Sequence, residues 1–141
     1  MSRTPWNVYP PPVPLRDPFR VALVAAGGAA GTVLRWRIGL DVRPGAFPTA
    51  ILVVNVVGSG LLGYLAGRVP VRGPRSEAVR LALGTGVLGG FTTFSTYAVE
   101  VARTLDDRPA RAVAYALVTV VASVAAAVAG VTVGSINEAT R

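Results

Sequence analysis

From Gly84 to Glu100 the chain reads GTGVLGGFTTFSTYAVE, with Thr92, Thr93, Ser95, Thr96 and Tyr97 crowded around Phe94. Side chains of these types do not break covalent bonds unaided. They hydrogen-bond, either to an ion or to backbone freed from a helix. The residues just before them, Gly89 and Gly90, each cost roughly 1 kcal/mol against alanine in a helix interior. The pattern predicts a helix interrupted at its middle by these two glycines. In lipid an unwound turn is tolerated only where protein or a cavity surrounds it, and such breaks usually mark ion or substrate sites. A closely packed continuous helix, with its hydroxyls bonded back to its own carbonyls, is the other reading of the same residues. Phe94 and Tyr97 are three apart, so they share a face with Thr93 and, one turn on, Glu100.

Three further groups stand out against apolar surroundings. Asn55 is the sole strongly polar side chain in the first half of its segment, with Ser59, Gly63 and Gly67 following at steps of four. Its amide offers two donors to an anion, or it joins one helix to another. Tyr115, Thr119 and Ser123 also fall at steps of four, forming a narrow polar track or three hydroxyls each bonded within its own helix. Arg35 lies one turn beyond Gly27 and Gly31 on a small-residue face, where its guanidinium either snorkels to headgroups or lines a path.

The elements that must hold these residues belong to a membrane. Of 141 residues 52% are hydrophobic and 15% charged, with a mean hydropathy of +0.53, too apolar for an ordinary soluble domain of this size. The chain has neither cysteine nor histidine, which removes disulfides, thiolate chemistry, soft-metal sites and histidine acid/base catalysis. A membrane-embedded hydrolase would need a base for Ser59 or Ser95, so an enzyme is not expected. The net charge of +7 comes from arginine alone. These arginines flank hydrophobic segments, where they contact lipid headgroups or fix topology, and nucleic acid is not an expected partner.

Residues 1–18 form a proline-rich tail, expected to be extended and solvated, with Trp6 and Tyr9 able to rest at the interface. A signal peptide is not expected, because the first apolar run leads into further membrane segments. The membrane domain covers 19–137, with helices over about 19–40, 47–67, 78–104 and 110–136, and residues 138–141 form a short tail. The fold class is therefore an all-α integral membrane protein with four transmembrane helices, the third broken at its middle. Four crossings put both termini on one side. Arg3, Arg16, Arg20, Arg68, Arg72, Arg75, Arg80 and Arg141 then share that side, and Arg35, Arg37, Arg43, Arg103, Arg108 and Arg111 lie opposite. This near balance gives only weak orientation. A chain that inserts both ways can pair antiparallel about an axis in the membrane plane.

The run GGFTTFSTY, together with GGAAGTVLR at Gly27–Arg35 and NVVGSGLLG at Asn55–Gly63, resembles the Fluc family of small fluoride channels. The resemblance runs from about Val21 to the end of the last hydrophobic segment. It implies passive, fluoride-selective efflux across the cell membrane by an antiparallel dual-topology dimer, either a homodimer or a heterodimer with a paired homologue. It places Arg35 at a vestibule, where the charge would raise local anion concentration. Fluoride would then pass along Asn55, Phe94, Ser95, Thr96, Tyr97, Tyr115, Thr119 and Ser123. The resemblance also implies a structural sodium at the carbonyls of Gly89 and Thr92. Tyr97 departs from the family's usual second phenylalanine, and its added hydroxyl must find a partner in the ion, Glu100 or water. Glu100 itself is either wet or paired with Arg103. Two other classes compete. A small dual-topology multidrug-type transporter would need a carboxylate deep in a helix, and Glu100 is too near a helix end. A noncatalytic membrane-assembly subunit would explain the small-residue packing but not the two polar tracks.

Overall fold

Proline opens three of the helices. In the computed structural model, which describes residues 17–40, 49–70 and 72–139, α1 runs Pro18–Leu40, α3 begins at Pro74 and α6 at Pro109. Proline at the first helical position gives up an N–H that has no intrahelical partner there, and its fixed φ suits the helix. Pro18, Pro74 and Pro109, which lie just outside the helix ranges expected from sequence, are thus helix starts. Asp17 completes the first cap, its Oδ1 accepting from the Phe19 N–H at 3.0 Å. The rest of the proline-rich head lies outside the described residues.

After α1 come α2, Thr49–Arg68, and then α3, Pro74–Val79. α3 continues into a π-helical stretch, Arg80–Leu88, and a last turn, α4, Gly89–Phe91. α5 covers Phe94–Leu105 and α6 Pro109–Ala139. The third hydrophobic segment therefore starts at Pro74 rather than near residue 78, and consists of an arm, Pro74–Phe91, followed by α5. Among the described residues three helices, α1, α2 and α6, are long and apolar enough to cross a membrane.

Two glycine seams set how the helices lie. α1 packs on the π-helical stretch and α4, while α2 packs on α6, which also carries α5. A Cβ at Gly31 would fall on the Val87 carbonyl, and one at Gly63 on the Ala127 carbonyl, so each pair of backbones touches directly. The buried apolar residues are few, chiefly Val54, Leu88, Phe91, Ala112 and Tyr115. Large apolar side chains such as Val53, Leu61, Val121 and Val128 face outward. In water such surface would drive association, and in a bilayer it meets acyl chains. The molecule is a multi-pass membrane protein.

At one end, charges are matched within the chain. Arg20 pairs with Glu77 at 2.7 Å and with Asp17 at 3.1 Å, joining the starts of α1 and α3. Arg80 donates to the carbonyls of Val69 at 3.1 Å and Ala66 at 3.5 Å, supplying positive charge where the α2 dipole ends. Glu100 takes part in none of the ion pairs found among the described residues.

Candidate functional site

The helix breaks at Thr92 and Thr93, not at the glycines. Thr92 has φ −74° and ψ 155°, and Thr93 has φ −149° and ψ 120°, both extended. Gly89 and Gly90 stay helical, and Gly90 serves close packing: a Cβ there would land on the Gly28 carbonyl. At Gly90 tertiary contact overrides the poor helix propensity of glycine.

Asn55 on α2 ties the break. Its Oδ1 accepts from the Thr93 N–H at 2.8 Å and its Nδ2 donates to the Thr93 carbonyl at 3.1 Å, so one amide satisfies both backbone groups of one residue. Only one Nδ2–H is left to offer an ion, where the sequence suggested two. The clamp between helices is the role this geometry favours.

Thr93 is the hub of the break, a role that its helix-face spacing does not reveal. As the α5 N-cap it accepts from the Thr96 N–H at 3.1 Å through Oγ1. The same hydroxyl donates to Thr96 Oγ1 at 3.0 Å and lies 3.3 Å from Ser95 Oγ. The signal that could have found it is a threonine followed three residues on by another polar residue at a helix start.

These bonds release two carbonyls. In a continuous helix the Thr93 N–H would donate to Gly89 and the Thr96 N–H to Thr92. One goes instead to Asn55 and the other to Thr93 Oγ1. Both carbonyls are hard oxygen donors of the kind that suits a sodium ion. The guanidinium of Arg35 faces one of them, Nη1 donating to the Thr92 carbonyl at 3.3 Å. Arg35 therefore turns toward the break rather than out to headgroups.

Around the break lies an open groove of about 280 Å³, lined by Asn55, Ser59, Thr92, Thr93, Phe94, Tyr97, Thr119 and Ser123 with Val120 and Val124. It unites five of the pathway residues read from sequence, namely Asn55, Phe94, Tyr97, Thr119 and Ser123. Ser95, Thr96 and Tyr115 are not among its lining residues. Ser95 and Thr96 sit in the Thr93 cap network, and Tyr115 is buried behind Tyr97 with ring centroids 5.8 Å apart. Phe94 is 79% exposed, its ring 5.5 Å from that of Tyr97. The Tyr97 hydroxyl donates across to the Ala116 carbonyl of α6 at 3.3 Å rather than to Glu100.

The α6 track divides. Thr119 bonds back to the Tyr115 carbonyl at 2.8 Å, the ordinary arrangement of a threonine inside a helix. Ser123 does not: its Oγ is buried, borders the groove and has no partner among the described residues. A buried hydroxyl left so costs about 1–3 kcal/mol unless water or a ligand meets it.

The model of the CrcB-like protein family, Camphor Resistance (CrcB), matches residues 22–131. A protein of Phenylobacterium zucineum named fluoride-specific ion channel FluC is 46% identical over 114 residues, covering 77% of this chain and 89% of that protein. Its namesake in Agrobacterium fabrum is 44% identical over 121 residues, 82% of this chain and 96% of its own. Another in Deinococcus radiodurans is 44% identical over 117 residues, 79% of this chain and 92% of its own.

Proposed function

Since this chain belongs to the CrcB-like family, we propose that it is a fluoride-selective channel through which the ion leaves the cell passively, giving fluoride resistance. The observation that carries the mechanism is the groove at the break, where amide, hydroxyl and aromatic groups converge without a lysine or a carboxylate among its lining residues. Fluoride holds water tightly, so each step through lipid needs substitutes for that water. Several weak donors serve better than one strong cation, because the ion must also leave. Asn55 offers its remaining N–H, Ser123 its unpartnered Oγ–H, and Phe94 the positive edge of its ring. Arg35 draws anions toward the break by its charge while its Nη1 holds the Thr92 carbonyl.

In this reading the arm Pro74–Phe91 and α5 together make one composite crossing, third in chain order, which brings the crossings to four. The groove is one-sided, and an aromatic ring as exposed as Phe94 fits a site walled by a second chain. We place there an antiparallel copy or a paired homologue, in keeping with the near balance of arginines between the two sides. The released carbonyls of Gly89 and Thr92 would hold the structural sodium, two chains together offering four such oxygens. When bound, that ion supplies fixed positive charge that offsets the anions passing nearby.

Liposomes holding the purified chain alone test the function. Fluoride is expected to leave and chloride to stay, while equal loss of both overturns selectivity. Absence of efflux would require the same assay with a paired homologue, and its absence there too overturns the channel. For the sodium, a high-resolution map of the assembled protein is expected to show a cation between the Gly89 and Thr92 carbonyls. A map with Arg35 on Thr92 in every chain and no density beside Gly89 excludes it.

A further inference from the structure

The turn between α2 and α3 forms a second kind of site. α2 is 20 residues long, and at 1.5 Å per residue it spans about 30 Å, so the turn that follows Arg68 lies at headgroup depth. A cavity of about 470 Å³ opens there, lined by Val69, Arg72, Gly73, Pro74, Arg75, Ser76 and Val79. Val69, Pro74 and Val79 give it apolar surface, and Arg72 and Arg75, both exposed, also line it. The turn is held in place by Ser76, whose Oγ accepts from the N–H groups of Arg72 at 3.0 Å and Gly73 at 3.1 Å and donates to the Gly73 carbonyl at 2.9 Å.

We propose that this turn binds the phosphate of an anionic phospholipid, with Arg72 and Arg75 on the headgroup and the Val69, Pro74 and Val79 surface under its glycerol and upper acyl chain. Two guanidinia match a phosphodiester in charge and in donor geometry. A free phosphate ion shares that chemistry, but it has no use for apolar surface and does not concentrate at this depth. Arginine near an anionic leaflet adds to lipid attraction residue by residue.

Native mass spectrometry of the full chain in detergent, titrated with phosphatidylglycerol or phosphatidylcholine, decides between these outcomes. Phosphatidylglycerol is expected to stay bound at least tenfold more tightly than phosphatidylcholine. The double variant Arg72→Ala/Arg75→Ala should lose most of that preference, and Arg103→Ala/Arg108→Ala, altered in and just after α5, should keep it. Equal retention of the two lipids, or equal loss in both variants, overturns the site. Displacement of phosphatidylglycerol by a tenfold excess of inorganic phosphate would overturn the lipid as its occupant. The readout involves no fluoride, so its outcome stands apart from the efflux measurement.

Discussion

Fluoride flux through Phe94→Ile is expected to fall by about a hundredfold or more, a barrier rise of ~2.7 kcal/mol. Isoleucine keeps the bulk and removes the ring, and with it the positive edge that this mechanism uses to hold an anion without trapping it. The site suits the test because Phe94 is 79% exposed on the single chain, so the substitution removes little internal packing. Tyr97→Phe is the comparison. It keeps the edge and removes only a hydroxyl already donating to the Ala116 carbonyl, so flux should stay within about tenfold of the parent, ~1.4 kcal/mol. Efflux from liposomes at matched protein density measures both. Parental flux in Phe94→Ile would end the aromatic role, and a silent parent switched on by Tyr97→Phe would make this chain the nonconducting half of a pair.

Asn55→Ala should act on fold and flux together. It leaves the N–H and the carbonyl of Thr93 without the partners now at 2.8 and 3.1 Å. Each unmet group costs about 1–3 kcal/mol. A lowered unfolding midpoint in detergent and at least tenfold slower fluoride efflux are expected. Asn55→Asp separates the two effects: a carboxylate still accepts from Thr93 but cannot donate, and it sets negative charge beside the path. That variant should melt closer to the parent than the alanine variant does and conduct less than the parent. An alanine variant that melts and conducts like the parent would show the clamp to be dispensable.

The long apolar helices were legible in the sequence because hydropathy and length are local properties. The position of the break was not. Glycine propensity pointed to Gly89 and Gly90, but both are helical, Gly90 packed directly on α1, and the break falls where Asn55, 38 residues from Thr93 in sequence, can bond it. No window of sequence contains that pairing. The α6 track shows the same limit: Thr119 and Ser123 have equivalent spacing, yet one bonds its own helix and the other has no partner among the described residues. Choice of rotamer, made by neighbours, separates them. Arg35 was legible as a polar intruder on a small-residue face, but its partner, the Thr92 carbonyl, exists only once the arm lies against α1.

The Asn55 clamp also orders the making of the protein. α2 leaves the ribosome before the break does, since synthesis runs from the N-terminus. When Thr93 enters the bilayer, the amide that will satisfy it is already there. A chain in which α2 inserted late, or was permuted to follow α6, would bring the break into lipid with two bare backbone groups and no partner waiting. Such a segment would be retained at the aqueous entrance or mispaired with a neighbour. Gene order here serves as part of the insertion machinery, and a circular permutant is a sharper probe of it than any point substitution.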